Sequence, residues 1–278
     1  MTLPPGIHRF YAEEIRAAAA LPEGPETERV LNAFASVPRE RHVGPGPWLL
    51  RSSNFSYGAR RTPDADPAHL YHNVLIALDE DRDINIGEPA LWARHFVRTQ
   101  IPRGGSILQV GTGTGYFTAI LALLVGPAGR VLATEVDPEL AAMAEIALAE
   151  VPNATVRAGN GATDVRPDDG PYDLIVAFAG VTHPIAAWDR VLKPGGRFLM
   201  ALTGTNWWGA MTLIDRDGEG FLATTLGRCG IFPCAGARDD DTASALEEFW
   251  SDQSRLSGAK IRIDPTGSGA RYTLLGRA

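Results

Sequence analysis

The chain has 278 residues, 45% hydrophobic and 21% charged, so it can bury a full core as one large domain or one domain with additions. Its net charge of −7 leaves no basic excess to neutralise phosphates, which argues against non-specific nucleic-acid binding, and no stretch reaches the length of a membrane span. Glu13 and Glu14 interrupt the N-terminus, where a secretory leader would need a basic start and an apolar run, so a cytoplasmic setting is expected.

In chain order, residues 7–20 and 26–34 have helical periodicity, separated by the breakers Pro22, Gly24 and Pro25. A polar, Gly/Pro-punctuated segment follows over 44–67, with Arg51, Arg60, Arg61, Trp48, Phe55 and Tyr57. It reads as an ordered surface loop or as part of a substrate-facing lid. Residues 71–78 predict a strand, Glu80-Asp81 a turn, and 83–86 a return strand. Pro89 is placed to open a helix running to about residue 97. These elements make an N-terminal helical and hairpin region over residues 1–100.

Residues 101–230 alternate strand and helix. Strands are expected at 107–110, 130–134, 154–158, 174–177 and 197–202, with helices near 115–125, 138–150 and 184–192. This spacing predicts an α/β fold, a Rossmann-like doubly wound sheet of mostly parallel strands. A hairpin at one edge follows, 210–214 and 221–226, turning at Asp215 to Gly218. Residues 231–278 form a C-terminal extension packed on that core. Its helix is expected to run to about Gln253, capped by Asp241 or Thr242, and to precede strands at 260–263 and 271–275.

The most informative stretch is Ser106-Ile-Leu-Gln-Val-Gly-Thr-Gly-Thr-Gly-Tyr-Phe117. An apolar strand turns through Gly111, Gly113 and Gly115 into an apolar helix, which brings bare backbone close to a bound nucleotide. A dinucleotide fingerprint, G-x-G-x-x-G, needs its third small residue where Tyr116 stands. The pattern G-x-G-x-G suits a nucleoside without a pyrophosphate, and S-adenosylmethionine is the candidate. Thr112, between the glycines, belongs to the same cofactor loop. Glu135, at the end of the second strand, is placed to accept both ribose hydroxyls, while Asp137 before Pro138 is placed to cap the next helix.

Asn160 and Gly161 end the third strand, where a polar side chain can touch the adenine or simply form an Asn-Gly turn. Phe178 ends the fourth strand and can pack against adenine, against the methionyl part, or in the core. His183, five residues on, reads as a base, a substrate contact or a surface residue. Cys229 and Cys234 read as small apolar residues or as a disulfide or half a metal site, and no cluster has metal-ligand spacing.

These residues resemble class I S-adenosylmethionine-dependent methyltransferases, and specifically the protein-L-isoaspartate O-methyltransferase family. The resemblance covers roughly residues 28–230. Ser36-Val-Pro-Arg-Glu-Arg-His-Val43 resembles the family's N-terminal V-P-R-E-x-F-V segment, and 107–117 its cofactor loop. Gly159-Asn160-Gly161 resembles its G-D-G, and Pro171 to Ile175 and Leu192 to Arg197 its later strands. The resemblance implies S-adenosylmethionine as cofactor and a carboxylate of a peptide or protein as acceptor, isoaspartyl or a side chain of a modified peptide. The family's T-I-S-Q-P is matched here by Asn85-Ile86-Gly87-Glu88-Pro89, so Gly87 stands at the active-site serine and Glu88 at the glutamine. Ile86 then borders the cofactor. Glu88 and His183 are the candidates for positioning the acceptor or acting as base. A small-molecule O- or N-methyltransferase, an NAD-dependent oxidoreductase and a noncatalytic S-adenosylmethionine-binding protein remain alternatives.

Overall fold

The computed structural model describes residues 3–52 and 58–277. Phe55 and Tyr57 of the expected lid lie outside the described residues. Helices α1 (Ile7–Ala19), α2 (Pro25–Ser36) and α3 (Pro89–Thr99) form the N-terminal layer, with Pro25 and Pro89 preset for the first helical turn.

Between α2 and α3 lie four short antiparallel strands, β1 (Leu49–Arg51), β2 (Arg60–Arg61), β3 (Leu75–Asp79) and β4 (Ile84–Ile86), in the order β2-β1-β3-β4. The strand expected over 71–78 begins only at Leu75. The buried guanidinium of Arg39 explains this. It donates to the carbonyls of Leu70 (2.5 Å), His72 (2.6 Å) and Val74 (3.2 Å), which occupies backbone that a ladder would otherwise use.

The main sheet is built from β5 (Ser106–Val110), β6 (Arg130–Glu135), β7 (Ala154–Ala158), β8 (Tyr172–Val181) and β9 (Leu192–Thr203), all paired in parallel. Helices α4 (Tyr116–Val125), α5 (Pro138–Ala147) and α6 (Ala186–Val191) connect them. Strands β10 (Trp208–Asp217) and β11 (Gly220–Gly230) follow, then α7 (Asp240–Phe249), β12 (Ser257–Thr266) and β13 (Gly269–Arg277). The nine-stranded order is β13-β12-β11-β10-β9-β8-β5-β6-β7.

The β10–β11 hairpin is therefore not the sheet's edge, because β12 and β13 continue the antiparallel ladder beyond it. Its turn lies at Gly218-Glu219, later than expected, since β10 stays paired through Asp217. The cap of α7 is likewise Asp239, whose carboxylate accepts from the Thr242 amide at 2.8 Å.

Alternation along β5 divides the core. Ile107 faces the layer holding Val30, Phe34, Trp92 and Ile120, and Leu108 faces the layer holding Trp188, Leu246 and Trp250. Every residue of α4 except Leu123 is buried, because the N-terminal helices cover its outer side. The order of the parallel strands reverses between β5 and β8, and such a reversal leaves a crevice at their carboxyl ends. Among the described residues no helix is long and apolar enough to cross a membrane.

Candidate active site

The chain leaves β5 at Val110 and turns into α4 through the glycine loop. Gly113 and Gly115 have φ of +56° and +86°, a region that side chains enter only with strain. The side of Gly113 is open, with no atom within 4 Å of an added Cβ. Its amide donates to Glu135 Oε2 at 2.7 Å, so strand β6 buttresses the loop. Gly115 acts differently. A Cβ there would meet Leu148 Cδ1 at 2.9 Å, so its bareness lets α4 close on the segment after α5.

This loop borders a cavity of about 1010 Å³, at the upper end of ordinary ligand pockets. Gly111, Thr112, Gly113, Tyr116 and Glu135 line it from the ends of β5 and β6. Asn160, Gly161 and Phe178 line it from the next strand ends, Ile86 from the end of β4, and Glu88 from the link to α3. The structure thus gathers every residue assigned to the cofactor except Gly115, with Glu88 beside them.

His183 is not among them. It is buried with Nδ1 2.9 Å from Thr182 Oγ1, and the Tyr272 hydroxyl of β13 donates to the Thr182 carbonyl beside it. Burial holds its pKa below the usual imidazole value, against the opposing charge of Asp239. The reading as a base or substrate contact is corrected, since β8 borders the cavity at Phe178 and Ala179 and His183 lies beyond them, buried.

Glu135 is buried, and burial raises its pKa above the usual carboxylate value, against amide donors from Asp137 and Gly113. Its Oε1 accepts from the Asp137 amide at 3.1 Å. The Val136 amide also acts on this carboxylate, so three backbone donors hold it and acceptor capacity remains for a ligand. Asp137 caps α5, accepting from Glu139 (2.9 Å) and Leu140 (3.2 Å) amides. The guanidinium of Arg82, in the β3–β4 turn, pairs with that carboxylate and holds its pKa low, which ties the turn across the cavity to the loop side.

Asn160 uses its side-chain oxygen on the Ala162 amide at 2.9 Å, so its amide nitrogen is the group left for a ligand. Glu88 Oε1 accepts from Asn73 Nδ2 at 2.7 Å, and Asn73 Oδ1 accepts from the Ala90 amide at 2.8 Å. Tyr116 contributes ring rather than hydroxyl. Its oxygen lies 2.9 Å from the Tyr11 hydroxyl, and the Arg39 guanidinium sits 5.3 Å from both ring centroids.

The segment resembling V-P-R-E is therefore a brace. Arg39 orders both the Tyr116 ring and the start of β3. His42 Nδ1 lies 2.9 Å from the Thr114 carbonyl, and Thr114 Oγ1 donates back to the His42 carbonyl at 2.6 Å.

The far wall was not anticipated. After β11 the chain runs back beside the end of β8, where the Gly180 amide donates to the Phe232 carbonyl at 2.6 Å and the Cys234 amide to the Gly180 carbonyl at 2.8 Å. This brings Arg228 and 229–235 to the cavity, with Trp207 and Trp208 beside them. Cys229 and Cys234 are free, buried thiols in this wall, not a disulfide. The only local signal was the exposed Trp-Trp pair after Gly204 and the strand-breaking Pro233.

A parallel sheet with this strand order, a glycine loop after its first strand and a carboxylate after its second define the class: a nucleoside-binding methyltransferase fold. The family model described as protein-L-isoaspartate(D-aspartate) O-methyltransferase matches residues 22–235, and the chain belongs to that family. A protein-L-isoaspartate O-methyltransferase of Koribacter versatilis is 32% identical over 215 residues, 77% of this chain and 85% of the relative. One from Anaeromyxobacter sp. is 32% identical over 230 residues, 81% of this chain and 96% of the relative. The fold is shared with a solved protein-L-isoaspartate O-methyltransferase at TM-score 0.65 and 16% identity, covering 98% of this chain and 88% of the other. It is also shared with a Plasmodium falciparum structure described as the same enzyme in complex with S-adenosyl-L-homocysteine. That match has TM-score 0.62 and 13% identity, covering 82% of this chain and 98% of the other.

Proposed function

We propose that this chain methylates a carboxylate of a peptide or protein, with S-adenosylmethionine as donor. The observation that carries the reading is a single cavity, bordered by the glycine loop and Glu135 and continuing past Gly87 and Glu88 to an open aromatic rim. The residues fit the nucleoside: Gly113 leaves its side bare, Glu135 presents a buried acceptor at the strand end, and Phe178 and Leu140 add apolar surface. Glu135 would accept from the ribose hydroxyls and Asn160 would donate to the adenine. When bound, S-adenosylmethionine supplies a methyl group on a positively charged sulfur.

A carboxylate acceptor is ionised at pH 7 and needs no base. The protein's share is then to hold the acceptor in line and keep water out, which can supply several kcal/mol of barrier reduction. Glu88, held by Asn73, positions rather than deprotonates in this reading. A cytoplasmic setting is supported by the two free thiols.

The test is transfer of labelled methyl to an isoaspartyl peptide, the matching aspartyl peptide and a panel of small acids. Base-labile methyl ester on either peptide is expected. Turnover confined to small acids, or to a hydroxyl or amine acceptor, would sink the reading. Glu88→Gln separates the chemistries, since a base is needed for a hydroxyl acceptor and not for a carboxylate.

A further inference from the structure

We infer that the rim formed by Trp207, Trp208, Arg228 and Phe232 docks the acceptor as a peptide carrying an acidic residue next to the methylated position. The inference rests on the methyl-transfer reading and adds a specificity site to it.

Charge is the first argument. Three arginines line the cavity: Arg51, Arg82 and Arg228. Arg51 pairs with Asp83, and Arg82 with Asp79 at 2.6 Å and with Asp137. Arg228 alone of the three has no carboxylate partner among the described residues, in a chain of net charge −7. Its guanidinium lies 4.6 Å from the Trp208 ring centroid. A guanidinium laid on an indole keeps its N–H edge available for the planar, two-point recognition that a carboxylate offers.

The apolar surface is the second argument. Trp207, Trp208 and Phe232 are 49%, 38% and 37% exposed, and the Trp207 and Phe232 rings lie 5.7 Å apart. Exposed aromatics grouped beside an arginine are the composition of a binding hot spot.

The rim is also held rigid. Arg238 donates to the carbonyls of Gly180 (3.0 Å), Thr203 (3.2 Å) and Gly204 (2.7 Å) and to Thr203 Oγ1 (2.7 Å), which binds the ends of β8 and β9 to the loop carrying the tryptophans. Trp207 stands at φ +67°, and its carbonyl accepts from the Ile231 amide at 3.2 Å. Both strands of the rim are thus fixed before any ligand arrives. The peptide's apolar neighbour lies against the exposed faces of the paired Trp207 and Phe232 rings, its acidic neighbour meets Arg228, and the acceptor carboxylate enters the cavity.

The experiment compares a decapeptide with one isoaspartyl residue flanked by Glu with the same peptide flanked by Gln, on wild type, Arg228→Gln and Arg228→Lys. Binding is read from tryptophan fluorescence with S-adenosylhomocysteine present, and methyl transfer is read separately. Arg228→Gln is expected to weaken the Glu peptide on the order of tenfold in Kd and KM, with kcat within about twofold. It should leave the Gln peptide and S-adenosylhomocysteine affinity unchanged, and Arg228→Lys should restore part of the loss. Equal effects on both peptides, or none, overturn the docking site. If neither peptide is methylated while the Glu peptide still binds through Arg228, the methyl-transfer reading fails and the docking site stands.

Discussion

Trp92 stacks face to face on Phe178, with ring centroids 3.6 Å apart and planes 18° apart. The pair joins α3 to the end of β8, across the boundary between the N-terminal layer and the sheet. Gly87 lies directly against it, and a Cβ added there would sit 3.0 Å from Trp92 Nε1.

The serine expected from the family pattern therefore does not fit position 87 without moving Trp92. Gly87→Ser should destabilise the protein by about 1–3 kcal/mol, because its Cβ crowds the Trp92 ring. It should also lower methyl transfer to the protein's own acceptor. Urea unfolding and a turnover assay check both. A Gly87→Ser variant as stable as wild type, with higher activity on isoaspartyl peptides, would show that the stack yields easily and that the family geometry is recoverable.

Gly113→Trp tests the donor side. The ring would project into the cavity from a residue at φ +56° with open space beside it. Affinity for S-adenosylhomocysteine should fall more than a hundredfold by calorimetry. The backbone strain should cost only about 1–2 kcal/mol of stability, so the fold survives to be assayed. Normal binding would place the nucleoside elsewhere.

How far the sequence alone reached depends on the range of the contacts involved. The strand-glycine-helix turn at 107–125 and the Asp137 cap rest on neighbours a few residues apart, and residue types betray such features. The wall of Arg228 and 231–235 was not legible, because it depends on Gly180 pairing with the Phe232–Cys234 backbone, more than fifty residues away. His183 was misplaced for a related reason. Its proximity to Phe178 along the chain suggested a role at the substrate, whereas its surroundings are set by Tyr272 and Asp239. The role of Arg39 was hidden too, since a buried arginine ordering three carbonyls leaves no periodic trace.

Cofactor affinity should fall with acid from a higher pH than an ordinary carboxylate predicts. Glu135 is desolvated and its pKa stands above the usual value, so it loses its charge, and one oxygen becomes a donor, earlier as pH falls. Calorimetric Kd for S-adenosylhomocysteine against pH reads this directly. Glu135→Gln should lose about 1.5–3 kcal/mol of binding and flatten the acid limb. An unchanged limb in that variant would assign it to another group.

His95 should make the fold acid-labile. It is buried in α3 with neither ring nitrogen hydrogen-bonded, and burial first, then Arg94 and Arg98, depress its pKa to about 3. The folded state therefore binds fewer protons than the unfolded chain between pH 6.5 and about 3, and stability falls as pH falls through that window. Between pH 7 and pH 5 the loss from this residue should be about 2 kcal/mol. His95→Leu should remove it and gain stability at pH 7, as urea midpoints at both pH values would show. Equal acid sensitivity in the variant would mean that His95 finds water or protons while folded.

Trp207 should trade stability against binding. Its φ of +67° costs a bulky residue about 1–3 kcal/mol, and the ring is half exposed, so little burial offsets that strain. Trp207→Gly adopts the same backbone freely. Its stability should equal or exceed wild type by up to about 1 kcal/mol, while affinity for the acidic peptide drops severalfold. A variant that unfolds more readily yet binds the peptide as before would make the tryptophan a structural prop, held in strain for the fold rather than for the acceptor.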